Sequence, residues 1–403
     1  MPYSTPLFTL RIACALCLGI LVACSSAPDK RQKPEDPALR SLTEHAYSPG
    51  PSVGTQQHTE TLDGPDGGLQ ISLIAPNLAG SYPLVIYLPG LGDQVTGGEP
   101  WRKAWAGAGY AVLSVQDRQD GMPLLASEKA RKGDIGGMAR DASSSERRTT
   151  RIKNTLFALK TAQQRARQNQ PLFASIDFSR VVVAGFDTGA FAALAFSAEA
   201  GSPAPADAIP GLKGIIAISP APPENFSAHG RYGATHLPVL LVSSDADFDE
   251  YGIINDIGIR IAPFQAMPKE DKYLLSFKQI SHRALSGDTS SRMPDEMQGS
   301  RQRGGDKGGP PGGGGRGREG GPNGGGGNRP GMEGGGPGMG KGPDGGPDQR
   351  GGPGQGGEAL QTVMNSVSLA FLQAYVHQNE QALDWLSLDA SRWLRPYGSL
   401  SIK

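Results

Sequence analysis

Apolar and polar positions follow two different periods along this chain. LQISLIAP (69–76) alternates them as a strand with one solvated face does, and YPLVIYLPG (82–90) is a continuous apolar run ending in Pro-Gly. WRKAWAGAGY (101–110) reads as helical, and AVLSVQ (111–116) as another buried strand. After a long polar connection, ERRTTRIKNTLFALKTAQQRARQ (146–168) places Ile152, Leu156 and Leu159 on one helical stripe. RVVVAG (180–185), GLKGIIAISP (211–220) and LPVLLVSS (237–244) are further buried strands. Strands apolar on both faces and alternating with helices predict a mostly parallel sheet covered on both sides, an α/β fold.

The pattern fails in three stretches, and each failure is informative. Residues 1–23 hold Arg11 followed by an apolar run from Ile12 to Ala23, too short for a settled transmembrane helix and matched to an export signal. The run closes on Leu21-Val22-Ala23-Cys24, which resembles the bacterial lipobox. That resemblance implies acylation of Cys24 and anchoring in a membrane of the cell envelope, with Ser25 favouring the outer membrane. Residues 24–60 are rich in Ser, Pro, Gln, Asp and Lys and read as a solvated tether. Residues 288–358 form a Gly/Pro tract with scattered charges of both signs, which cannot bury a core and reads as a disordered insertion. Periodicity returns in ALQTVMNSVSLAFLQAYVHQNEQALDWL, where Leu360, Val363, Val367, Phe371 and Ala374 share a stripe. Residues 359–403 are therefore expected to complete a core that spans 61–287.

Composition narrows the picture. Most of the 58 glycines among 403 residues fall in the insertion, so length overstates the number of domains and one folded domain is expected. Lys+Arg and Asp+Glu are both 39, and the arginines of the insertion are spaced by glycine rather than by aromatic residues, which argues against a nucleic-acid partner. All three cysteines (Cys14, Cys17 and Cys24) lie in or at the end of the leader, so the mature chain has no internal disulfide. No metal-ligand spacing or Walker motif occurs, and the GxGxxG-like strings of the insertion follow no strand and open no helix. No cofactor or metal is expected.

Three loops carry candidate chemistry. GFDTG (185–189) stands where a strand turns into a helix, with glycines that let the chain bend sharply and push Asp187 outward. SSDADFDE (243–250) follows a buried strand and offers Asp245, Asp247 and Asp249, and KYLLSFKQISHRALSG (272–287) delivers His282 after a strand-like run. Of the six histidines only His282 falls in such a loop. Each has an ordinary reading as well: an aspartate before a helix is a good cap, an acidic loop after a strand is commonly solvated, and so is a loop histidine.

The order nucleophile, acid, histidine resembles the α/β-hydrolases, and the chain from about 66 to 287, with the last helix, resembles their dienelactone hydrolase-like branch, near cutinases, polyester hydrolases and platelet-activating-factor acetylhydrolases. YPLVIYLPGLGD resembles the strand and loop that supply one oxyanion-hole amide, which the resemblance places at Leu91. SIDFSRVVVAGFDTGA resembles the run into the nucleophile elbow, with Thr188 giving the second amide. The resemblance assigns the acid to Asp247 and the base to His282. Asp187 departs from it, because the branch carries serine at that position.

A carboxylate there changes the chemistry. Serine attacks carbonyls, whereas a carboxylate attacks an sp3 carbon bearing a halide or an epoxide oxygen, and the resulting alkyl ester is cleaved by water activated by histidine. Haloalkane dehalogenases and epoxide hydrolases of the superfamily carry a G-x-D-x-G elbow. The tryptophan common after the dehalogenase aspartate is Thr188 here, and the connection before LPVLLV is too short for a helical cap, leaving 119–145 to cover the site. The sequence thus implies a lipid-anchored hydrolase acting on a small ester, epoxide or halide. A catalytically degenerate binding or scaffold lipoprotein on the same fold is the alternative.

Overall fold

The computed structural model describes residues 37–65, 67–205, 207–287 and 355–403. Cys24, its leader and nearly all of the expected insertion lie outside the described residues.

Nine strands form one sheet in the order β1-β2-β4-β3-β5-β6-β7-β8-β9. They are β1 Thr55–Gly64, β2 Gly67–Pro76, β3 Tyr82–Leu88, β4 Ala111–Asp117, β5 Ile176–Phe186, β6 Leu212–Ile218, β7 Val239–Ala246, β8 Lys272–Ser281 and β9 Gly398–Ile402. The six strands from β4 to β8 run parallel to their neighbours, while β1, β2 and β9 add antiparallel edges. This mixed α/β sheet, parallel over most of its width, is compatible with the α/β-hydrolase fold.

Successive residues of each central strand feed opposite faces, as the pleat requires. Val182 and Ala184 of β5, Ile216 and Ile218 of β6 and Leu240 and Val242 of β7 join a core with Trp101, Trp105 and the helix Gln355–Val376. Their neighbours Val183, Ile215, Ala217 and Leu241 join a second core with the helix Ser145–Arg167 and the helix Thr188–Leu194. The continuous apolar runs in the sequence have this origin. The stripe Leu360, Val363, Val367, Phe371 and Ala374 is buried against the first face, and the Trp105 indole N–H donates to Ser368 Oγ at 2.9 Å, tying the returning helix to the body.

Regular structure is present earlier in the chain than apolar periodicity predicted. Within the stretch expected as tether, the helix Pro37–Glu44 buries Leu39 and Leu42, and β1 pairs along its whole length with β2. Two leucines in eight residues make too faint a stripe to notice, and β1 (TQQHTETLDG) is exposed at nearly every position, so it shows no apolar alternation. β9 was not foreseen either; its register comes from pairing with β8, from Tyr273↔Ile402 to Phe277↔Gly398. The long polar connection after β4 also has structure, in the turns Met122–Ala126 and Glu128–Arg131 and the helix Ile135–Ala142.

The carboxyl ends of β3 and β5 lie side by side, with Leu88 opposite Gly185. This is where the strand order reverses, and a crevice there is the usual binding place of a parallel sheet.

Candidate active site

β5 ends at Phe186, and the chain reverses at Asp187 into the helix Thr188–Leu194. Asp187 has φ 54° and ψ −122°, a conformation a residue with a Cβ holds only when its surroundings impose it. The surroundings do: a Cβ on Gly189 would lie 2.1 Å from the Leu88 carbonyl oxygen, and one on Gly185 2.5 Å from the Gly189 carbonyl carbon. Glycine at both positions lets the helix seat directly on the end of β3. The Asp187 N–H donates to the Ile218 carbonyl at 3.0 Å and the Ala221 N–H to the Asp187 carbonyl at 3.1 Å, pinning the turn to β6.

The Asp187 side chain does not cap the helix. Its Oδ2 accepts the Leu91 N–H at 3.1 Å, and its Oδ1 lies 3.6 Å from His282 Nε2. His282 sits at the end of β8 as the first residue of the helical turn His282–Leu285, with Ser281 capping that turn. Its ring stacks on Phe186 at 4.7 Å between centroids, and Nδ1 lies 2.8 Å from Asp247 Oδ1. An ionised carboxylate only accepts, so in the neutral ring Nδ1 carries the proton and the Nε2 lone pair faces Asp187. Asp187, His282 and Asp247 are thus brought into one chain, all nearly excluded from solvent.

Asp247 is fully buried, directly after β7. Ser219 Oγ donates to its Oδ1 at 2.7 Å and Ser243 Oγ to its Oδ2 at 2.8 Å. Arg260, itself fully buried, places Nε 3.5 Å from Oδ1 and donates to the carbonyls of Asp247, Ser219 and Pro220. Burial alone would raise the pKa of this carboxyl. The His282 hydrogen bond, the Arg260 charge and the Ser219 hydroxyl outweigh it and hold Asp247 below its ordinary value. The neighbouring acids are spent elsewhere: Asp249 accepts the N–H groups of Tyr251, Ile253 and Ile254, and Asp245 that of Gln279.

Leu91 follows β3 and packs in a small separate cluster with Met138, Ala139 and Ala142, joined by Leu125 and Tyr251. The connection 119–145 therefore lies over the Leu91 loop. The Tyr251 phenol donates to the Leu91 carbonyl at 3.3 Å, and burial, with the Asp187 charge next, raises its pKa far above the ordinary value. Thr188 is buried at the first turn of the elbow helix, and its hydroxyl has no partner among the described residues.

Three contributors escaped the sequence reading. Ser219 closes an apolar strand and sits at φ 51°, with Oγ 2.7 Å from both Asp247 Oδ1 and His282 Nδ1. Arg260 lies in a helix and Tyr251 in a loop, and nothing local marks either. A serine ending a buried strand before proline was the one available signal, since a buried hydroxyl must find a partner.

Among the described residues no group of His, Cys, Asp or Glu converges as a metal site, and no helix there is long and apolar enough to cross a membrane. Compared with known proteins, the chain matches no family model and no curated sequence.

Proposed function

We propose that this protein is a hydrolase in which Asp187 attacks an sp3 carbon bearing a halide or an epoxide oxygen. One observation carries the reading: one Asp187 oxygen already occupies the Leu91 amide while the other faces His282. Oδ2 in that position blocks a substrate carbonyl from the same donor, which disfavours acyl transfer. It suits alkyl transfer, because after Oδ1 forms the bond to carbon, Oδ2 becomes the ester carbonyl, held where an oxyanion would be stabilised.

The steps balance. Oδ1 displaces halide, or opens the epoxide to an alkoxide that takes a proton from the Tyr251 phenol, which is kept protonated and bonded to the Leu91 carbonyl. Water then attacks Cγ of the ester, His282 Nε2 accepts its proton, and the intermediate collapses to Asp187 carboxylate and alcohol; the His282 proton then returns to the Tyr251 phenolate in the epoxide case, or leaves to solvent with the halide in the other. Asp247 orients the imidazole and stabilises its protonated form. Thr188 supplies a second amide to the oxyanion in this reading.

Cys24 is proposed as the lipid anchor of an exported envelope protein, on the strength of the leader pattern. Labelling with a radioactive fatty acid should mark the wild-type chain and miss Cys24→Ser.

Purified protein and its Asp187→Asn variant, assayed against 1,2-epoxides, primary bromoalkanes and p-nitrophenyl esters, test the activity. Diol or alcohol formation that disappears with Asp187 is expected. Turnover indifferent to Asp187→Asn contradicts the reading. Silence of the wild type across all three classes favours a degenerate binding protein, a reading supported by the burial of both Asp187 and His282.

A further inference from the structure

A second site lies beside the elbow helix. A pocket of about 630 Å³ opens where the 23-residue helix Ser145–Arg167 begins, bounded on one side by Phe191 of the elbow helix, a volume ordinary for a small-molecule site. Its polar wall is cationic. Arg140, Arg148 and Arg231 all line it. Arg148 is neutralised, since both of its terminal nitrogens donate to the buried Glu199 and its Nε to the Phe191 carbonyl. Arg231 touches Glu199 only at 3.5 Å and is held over the Phe226 ring, with its guanidinium carbon 5.2 Å from the centroid. Arg140 is exposed and makes no ion pair among the described residues. Glu224, exposed, is the acid on the lining and leaves the guanidinium charge in excess.

Two further features point the same way. The first-turn amides of a helix have no intrahelical acceptor and carry the positive end of its dipole; here Ser144 caps one of them, that of Arg147. Independently, Ser143 lines the pocket at 5% exposure, and its hydroxyl has no hydrogen-bond partner among the described residues. A buried hydroxyl without a partner is uncommon, and this one borders the pocket. The rest of the wall is apolar, from Phe226, Pro223 and Ile253.

We propose that this pocket binds a small organic anion, with its acid group among Arg140, Arg231, Ser143 Oγ and the helix N-terminus and its flat apolar body against Phe226 and Pro223. The site is distinct from the Asp187 centre and does not depend on that centre being active. The guanidinium forks and the helix amides recognise carboxylate and phosphate alike.

Titration of the full chain with benzoate, phenyl phosphate and neutral benzyl alcohol, followed by calorimetry or ligand-observed NMR, tests it. At least one anion should saturate at low-millimolar concentration or below, while benzyl alcohol does not. Arg140→Gln and Arg231→Gln should each weaken that anion about tenfold and Ser143→Ala about threefold, whereas Asp187→Asn should leave its affinity unchanged. Arg140 is exposed, so its variant keeps the core, and unchanged thermal unfolding verifies this. No saturable binding of either anion overturns the proposal, as does affinity indifferent to both arginine substitutions. Binding lost with Asp187→Asn overturns it too, by placing the anion at the elbow.

Discussion

The loops after β5 and β7 each deliver a buried aspartate to the same histidine, yet the two carboxylates are held very differently. Asp247 has two serine hydroxyls, an imidazole and a nearby guanidinium around its oxygens. Asp187 has one backbone amide on Oδ2 and, across 3.6 Å, His282 on Oδ1. A carboxylate saturated with donors is stabilised as a charge and is a poor nucleophile, whereas one with an oxygen left without a short donor can still form a bond. In the proposed mechanism the contrast separates a positioning acid from a reacting one, and Asp187 differs also in its backbone, standing on a turn at φ 54°.

Substitutions that exchange or erode this difference should act unequally. Asp187→Asn is expected to reduce turnover to background, because an amide cannot carry the alkyl intermediate; residual diol or alcohol formation by the purified variant measures it. Asp247→Asn leaves the nucleophile but removes the carboxylate charge and replaces one acceptor oxygen by an N–H donor that can impose the wrong His282 tautomer, and turnover should fall about 10³-fold or more, with alkylation of Asp187 still detectable because the loss falls on ester hydrolysis. Arg260→Met leaves the Asp247 charge buried with less compensation and three carbonyls without their donor, so urea unfolding should show a loss of about 3–5 kcal/mol. Ser243→Ala removes one hydrogen bond to the Asp247 carboxylate and should cost about 1.5–3 kcal/mol.

Acid should expose the Asp247 charge as well. Asp247 has a depressed folded-state pKa, so its contribution to stability is fully present above its unfolded-state value and is lost as pH falls through the folded one. Unfolding free energy measured downward from about pH 5 should therefore fall less steeply in Asp247→Asn than in the wild type.

Much of this was legible in the sequence because it rests on local sterics or on long apolar runs. The elbow was readable since a Cβ on Gly185 or Gly189 would fall 2.5 or 2.1 Å from backbone atoms, and the central strands since both faces of β5, β6 and β7 are buried. The edges β1 and β9 were not, because an exposed or short strand takes its identity from a partner rather than from its own pattern. Asp245, Asp247 and Asp249 look alike in one dimension; only the donors they accept from distinguish them, backbone amides for two and His282 for the third. Ser219, Arg260 and Tyr251 act through partners 28 to 160 positions away in the chain for Ser219–Asp247 and Tyr251–Leu91, and spacing records none of this.

The central claim is that Asp187 forms a covalent alkyl ester which His282 then helps water to cleave, and trapping that ester tests it most directly. His282→Gln protein incubated with a 1,2-epoxide or a primary bromoalkane and mapped by peptide mass spectrometry should carry one adduct, on Asp187, at near-stoichiometric occupancy. An unmodified Asp187 peptide across reagents that the wild type turns over would contradict the account.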